Sequence, residues 1–317
     1  MNYAVGIDIG ASNTKIGLVT RDRPGHIAAQ RTLPTQLDGS QAEPFVDDIV
    51  GVVRQLAEGA PIVRAGVSLC SLINADHTGA FLSVNAPALN HFNIKAACEA
   101  RLGCPVQVMN DVNAYALAEY YHGAGQGVER LLVIAPGTGL AIACINAGRL
   151  LETWAGVCAD AARIILDPAS DVACNAGVRG TAEALCGTAH IVRLAQQRYG
   201  RDNPRWRGDV AARDVITASR NGADPIAVAV MAEIGEYIGH LAAILSPIFF
   251  PQRIVITGGT SEAGDVLFTA IRNRYATLIG DYMANLALLE TGIRRPVEIV
   301  KGALGPEAAI LGSVLGE

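Results

Sequence analysis

Aromatic residues make up only 5% of this 317-residue chain and charged residues 17%, and no segment gathers lysine and arginine into a block. With 25 basic residues against 30 acidic ones and a net charge of −5, nothing in the chain is suited to neutralise a nucleic-acid backbone, so nucleic acid is not the expected partner. Long apolar runs are scarce as well. The stretch GHLAAILSPIFF, residues 239 to 250, is shorter than a bilayer crossing and is broken by polar residues and a proline. The opening MNYAVGIDIG lacks the basic start and apolar core of a secretion leader. No membrane association is expected, and the expected location is the cytoplasm. The 7 cysteines are odd in number and carry no paired spacing, which argues for reduced thiols rather than a disulfide framework. No low-complexity linker interrupts the chain, so a hinge built from helices is expected rather than a flexible tether.

What is present is an alternation of strand and helix patterns, with half of the residues hydrophobic, enough for one large core or two linked ones. YAVGIDI (3 to 9) and TKIGLVT (14 to 20) read as a hairpin, extended by HIAAQRTLP as a third strand. From residue 42 to 59 the period changes, and Phe45, Ile49, Val52, Val53 and Leu56 fall at helical spacing. VRAGVSL is a strand, NIKAACEARLG a helix ending at Gly103, PVQVMN a buried strand, and a further helix begins at Asp111. The expected division is an N-terminal α/β lobe over residues 1–112, joined by a terminal helix at about 303–317, and a larger α/β lobe over 113–302. The second lobe opens on another hairpin, RLLVIAPGTGLAIACINAGRLL. It then turns mostly helical over 188 to 250, and adds the strand RIVITGG and a helix from Ser261. Each lobe thus opens with a strand, a glycine turn and a returning strand, a weak internal echo.

Three glycine turns and one aspartate carry the chemistry. DIGASNTK (8 to 15) places Gly10, Ser12, Asn13, Thr14 and Lys15 where backbone N–H groups and hydroxyls can cradle phosphate. APGTG repeats this with Gly137, Thr138 and Gly139, and TGGTSEAG leaves a strand through Gly258 and Gly259 to enter a helix at Ser261. Any one of them alone reads equally as a tight turn. Asp111 opens a helix after a strand, so it is either an N-terminal capping residue or a positioned carboxylate base.

In order along the chain, VGIDIGASNTKIGLV, NDVNA, GTGL with INAGRLL, ITGGTSEAGD and KGALGPEAAILG resemble the ROK family of sugar kinases and related repressors. That resemblance implies a two-lobed actin-like or hexokinase-like (ribonuclease H-like) ATPase fold with an interlobe cleft. It also implies an ATP-dependent carbohydrate kinase, since the chain begins directly at the phosphate hairpin. A homodimer is the expected assembly. By the same resemblance Asp8 holds a hydrated Mg²⁺. Gly10, Ser12, Asn13, Thr14 and Lys15 approach the β- and γ-phosphates, with Gly137, Thr138 and Gly139 gripping phosphate and Gly258, Gly259 and Ser261 lying against adenosine. Asp111 is the general base and Asn110 its neighbour on the acceptor.

The departures from the family pattern concern the acceptor and a metal. In the segment DVACNAGVRGTAEALCG the family zinc frame keeps Cys174, but Ala176, Thr181 and Arg163 stand where the other ligands belong. One ligand of four cannot close a tetrahedral site, so no zinc is expected. Asp160 and Arg163 replace the family's sugar-binding Glu and His, Ser71 lies in its altered PGP turn, and Ala88 replaces an Asn. Only Glu183, Asn110 and Asp111 remain of the hydroxyl-binding set. An unusual sugar or a cyclitol is therefore expected as acceptor rather than glucose, with Arg163 facing it, turned outward, or paired to Asp160 or Asp167. A non-catalytic nucleotide or metabolite sensor, or an ordinary hexose or N-acetylhexosamine kinase, are the alternatives.

Overall fold

The computed structural model describes residues 2–20, 25–35, 37, 42–83, 86–200, 210–220, 222 and 224–315. Residues 201–209, inside the expected helical stretch, and 316–317, at the end of the expected terminal helix, lie outside them. The chain forms two compact units, Met1–Gly127 with Ala143–Ala159 and Ala303–Glu317, and Val128–Ile142 with Asp160–Gly302.

In the first unit the apolar hairpin becomes β1 (Tyr3–Ile9) and β2 (Asn13–Thr20), followed by β3 (Ile27–Pro34), α1 (Ala42–Ala57) and β4 (Ile62–Leu69). The short pair β5 (Leu72–Ile73) and β6 (Ala80–Leu82) precedes α2 (Ile94–Leu102), β7 (Val106–Asn110) and α3 (Asp111–His122). The sheet order is β3-β2-β1-β4-β7, with β1, β2 and β3 antiparallel and β4 and β7 parallel to β1. A short turn joins the antiparallel β1 and β2, and the helical crossovers α1 and α2 allow the parallel part.

Strand alternation then sorts the side chains. Val5, Ile7 and Ile9 of β1 join Ile16, Leu18, Val67, Phe45, Ile49 and Val53 in the larger core. Ala4 and Val19 join Ala118, Ile310, Leu311 and Val314 in a second cluster built around α10 (Ala308–Ser313). Gly6, Gly17 and Gly66 are register partners on this second face. A Cβ at Gly6 would lie 2.1 Å from the Ile310 carbonyl oxygen, and one at Gly66 would lie 1.8 Å from that of Ser313. The row of glycines is the seat of the terminal helix.

The second unit carries β8 (Arg130–Pro136), and the division between units falls inside β9 (Leu140–Asn146), which is followed by β10 (Arg149–Leu150). Then come α4 (Ala182–Cys186), α5 (Thr188–Tyr199), α6 (Ala212–Arg220), α7 (Pro225–Phe249), β11 (Arg253–Ile256), α8 (Asp265–Tyr275), α9 (Asp281–Thr291) and β12 (Glu298–Lys301). The order β10-β9-β8-β11-β12 repeats that of the first sheet strand for strand. The repeated hairpin and glycine turn in the sequence are thus the visible part of a repeated five-stranded topology.

Three expectations change. The boundary after residue 112 is displaced, because α3 remains in the first unit, where Ala118 packs with α10. Glu119, fully buried, accepts hydrogen bonds from the backbone N–H groups of Ala124 (2.7 Å), Ala303 (3.0 Å) and Leu304 (3.0 Å), fastening the C-terminal segment to that helix. The apolar stretch at 239 to 250 is the end of α7, a 25-residue helix long and apolar enough to cross a bilayer by length and composition. Over half of its most apolar window (56%) is buried inside the fold, which marks a core helix. Finally, no α-helix begins at Ser261: residues Gly259–Ala263 form a 3₁₀ turn, and α8 starts at Asp265.

Candidate active site

The C-terminal ends of β1, β4 and β7 bring the polar residues of the first unit together. Asp8 lies on the same face as Gly6, and its register partners are Lys15 on β2 and Ser68 on β4. The Ser68 hydroxyl donates to Asp8 Oδ1 at 2.9 Å, and Lys15 Nζ lies 3.8 Å from Asp8 Oδ2 while donating to the Pro306 carbonyl at 2.8 Å. Burial raises the Asp8 carboxyl above its ordinary range, partly offset by the Lys15 charge and the Ser68 hydrogen bond.

Asn110 ends β7 and caps α3, its Oδ1 accepting from Val112 N at 2.9 Å while its Nδ2 donates to the Ser71 carbonyl at 2.8 Å. Asp111 is the first helical residue, and Val112 N–H also reaches its Oδ1 at 2.9 Å. Burial first, and then the neighbouring Asp8 charge, push the Asp111 carboxyl up to about 6, against the opposing hydrogen bonds from Val112 and the Cys70 side chain. A carboxyl at this value is balanced between holding and releasing a proton near neutrality, as a general base requires. The N-cap of α3 is Asn110 rather than Asp111, so the capping reading passes to its neighbour, and Asp111 is held by the Val112 N–H on its carboxylate.

Ser71 donates its hydroxyl to the carbonyls of Leu72 (2.8 Å) and Leu82 (3.1 Å), which ties the altered turn to β6. Ala88 sits in a 3₁₀ turn, Pro87–Leu89, and contributes no polar group. The turn after β1 exposes Ala11, Ser12 and Asn13, with Gly10 N–H held by the Asn13 carbonyl at 3.1 Å. Thr14 departs from expectation. It is fully buried and its hydroxyl pairs with that of Thr35 at 2.8 Å, because strand alternation puts it on the α1 face, opposite Lys15 and Asp8.

In the second unit the PGTG turn between β8 and β9 holds itself by Gly137 N–H to the Gly139 carbonyl (2.8 Å) and accepts Thr188 N–H at the Gly137 carbonyl (2.9 Å). Glu183 on α4 packs against this turn so closely that a Cβ at Gly139 would lie 2.9 Å from Glu183 Oε2. Glu183 Oε1 in turn accepts from Arg163 at 2.8 Å, while Asp160, largely exposed, stands 3.9 Å from the Arg163 Nε. Arg163 is thus neither turned outward nor paired mainly with Asp160 or Asp167; its close partner is Glu183. Gly258 and Gly259 follow β11, and the Ser261 hydroxyl is bonded to the Gly258 carbonyl at 2.7 Å.

Sequence reasoning passed over Ser68, Tyr115 and Glu119. Tyr115 follows Asp111 by one helical turn, and burial, then the Asp8 and Asp111 charges, raise its hydroxyl well above the ordinary range. The spacing of four from Asp111 was its available signal. Ser68 had none until the β1–β4 register was known.

The repeated five-stranded α/β topology, with glycine turns at the strand ends and an aspartate at a strand-to-helix junction, defines the actin-like and hexokinase-like ATPase class. Within it the match is specific: the model of the ROK family covers residues 4–314, and the chain belongs to that family. A glucokinase of Streptomyces coelicolor is 29% identical over 99% of this chain and 96% of its own length. The crystal structure of a ROK family glucokinase from Streptomyces griseus, in complex with glucose and AMPPNP, superposes with a TM-score of 0.78 at 27% identity. That alignment covers 98% of this chain and 97% of the other. The N-acetylglucosamine repressor of Escherichia coli O6:H1 is 25% identical over 99% of this chain but 77% of its own length.

Proposed function

We propose that this protein is an ATP-dependent sugar kinase that transfers the γ-phosphate to a hydroxyl of a sugar or cyclitol other than glucose. The observation that carries the reading is Asp111, held at the start of α3 by the Asn110 cap and raised to about 6. In this reading ATP supplies the phosphoryl group and Mg²⁺ its charge neutralisation. Asp8 suits the hydrated metal: it is a nearly buried carboxylate oriented by Ser68 and Lys15. The exposed turn of Gly10, Ser12 and Asn13, together with Lys15, is assigned to the phosphates. Gly137, Thr138 and Gly139 are assigned to phosphate as well, and Gly258, Gly259 and Ser261 to the adenosine. Thr14 contributes only its backbone, and Ser261 too offers its backbone, since both hydroxyls are already bonded.

Asp111 takes the proton of the attacking hydroxyl, and Asn110 orients the acceptor beside it. Catalysis then rests on aiming that hydroxyl in line and on dispersing charge, with little covalent work for the protein. The acceptor is the finer part of the proposal. Arg163 engages Glu183, so a carboxylate that could accept from sugar hydroxyls is instead half of an ion pair, and Ala88 and Ser71 offer no free side-chain group in compensation. Each hydroxyl-binding group withdrawn costs a glucose-like acceptor about 1–3 kcal/mol.

The test is ATP consumption across glucose, fructose, N-acetylmannosamine and a set of inositols. The expected result is acceptor-dependent turnover, with glucose used about 100-fold less efficiently than the best acceptor. Glucose as the best acceptor would overturn the selectivity argument. Absence of turnover with every acceptor would overturn the kinase reading and favour a metabolite sensor, the reading to which the similarity with a repressor points.

A further inference from the structure

The first unit contains a cavity of about 440 Å³, walled by β7, α3 and β10 and lined by none of the residues assigned above. Its volume falls in the range of small-molecule sites. Val108, Met109, Leu117 and Leu150 give it an apolar wall, and Lys95, Arg149 and His77 bring cationic or protonatable groups to it. The Tyr121 hydroxyl, which donates to the Gly148 carbonyl at 3.3 Å, joins α3 to the turn before β10 at its edge.

Among the described residues the charges at this cavity do not cancel. The one carboxylate among the described residues lining it, Glu152, is already engaged: Oε1 accepts from Asn113 Nδ2 at 2.8 Å and Oε2 lies 3.5 Å from His77 Nε2. Neither Lys95 nor Arg149 has a carboxylate or side-chain hydrogen-bond partner among the described residues, in a chain whose net charge is −5. Half of the other arginines among the described residues are paired to carboxylates, Arg101, Arg130, Arg193, Arg198, Arg253 and Arg294 among them. Two unpaired cations beside an apolar concavity raise the local concentration of anions and match a ligand with one charged end and one apolar face.

We infer that this cavity is a binding site for a small organic anion, a phosphate or carboxylate carried on a ring-sized apolar body, held at its acidic end by Lys95 and Arg149. The site is independent of the kinase reading, because none of its residues is assigned to phosphoryl transfer. Calorimetric titration of the full chain with phenyl phosphate, phenylacetate and neutral benzyl alcohol tests it. The expected result is saturable one-to-one binding of at least one of the two acids, and the stronger of the two identifies the acidic group. Binding of benzyl alcohol should be at least about tenfold weaker, since a charge-assisted hydrogen bond contributes about 1.5–3 kcal/mol. The Lys95→Gln/Arg149→Gln double variant should lose about tenfold or more in affinity for the acid while keeping its melting temperature, and Asp111→Asn should bind the acid as the parent does. Failure of both acids to bind, equal binding of the alcohol, or undiminished affinity in a folded double variant would each overturn the inference. Loss of acid binding in Asp111→Asn would do the same, by showing that the probe occupies the kinase site.

Discussion

At the scale of single residues, Asp111 combines a place at a helix start with the carboxyl proposed as the base. It begins α3 with Val112 N–H on its carboxylate, and that same bond opposes the burial and the Asp8 charge that lift it to about 6. A base must be ionised to accept a proton, so turnover should fall as the pH drops through about 6 and reach a plateau above it. A turnover profile flat from pH 5 to 8 would contradict the assignment. Asp111→Asn should keep binding an ATP analogue and lose about 10²-fold or more in turnover, and activity within a few-fold of the parent would leave Asp111 a helix-start residue only. Asp111 was legible in the sequence because NDVNA joins a strand to a helix. Thr14 and Arg163 were not: the first depends on which face of β2 is even-numbered, and the second on how α4 brings Glu183 back to residue 163, a contact between residues 20 apart.

At the scale of elements, the hairpins, α1, α2, β7 and α3 follow from period and punctuation, and Gly103 ends α2 in the left-handed conformation that its sequence position suggested. The short strand β12 escaped notice because its four residues, EIVK, hold only two apolar side chains and gain strand character from pairing with β11. The loop from residue 171 to 187 is the most instructive element. Its shape is kept by backbone bonds, Cys174 N–H to the Val178 carbonyl (2.9 Å) and Gly180 N–H to the Val172 carbonyl (2.8 Å). Thr181, at a family cysteine position, caps α4 by accepting from Ala184 N–H at 3.2 Å. A loop braced in this way and keeping one family ligand should hold no stoichiometric zinc, and its melting temperature should not respond to a chelator. Metal analysis of protein purified without added zinc decides it. One zinc per chain would direct attention to Cys158, Cys186 or His190.

At the scale of the whole molecule, the first unit is built from three separated segments of the chain. α10 and the turn after it bury Ile310, Leu311 and Val314, about 1.5–3 kcal/mol of burial for each side chain. Their sum, about 5–9 kcal/mol, is comparable with the whole stability of an ordinary domain, about 5–15 kcal/mol. Truncation after Gly302 also strips Glu119 of its bonds to Ala303 and Leu304, leaving a buried carboxylate short of donors. The truncated chain should therefore lose amide-exchange protection throughout β1, β2 and β4, while β8 and β11, which pair within the second unit, remain protected. Gly66→Val is the milder form of the same experiment, since its side chain would collide with the Ser313 carbonyl and unseat α10 without shortening the chain. It should reduce protection in the same three strands. Parent-like protection of β1 and β4 in the truncated chain would show that the first unit is complete without its terminal segment, and would remove α10 from the account of what holds Asp8 and Asp111 in place.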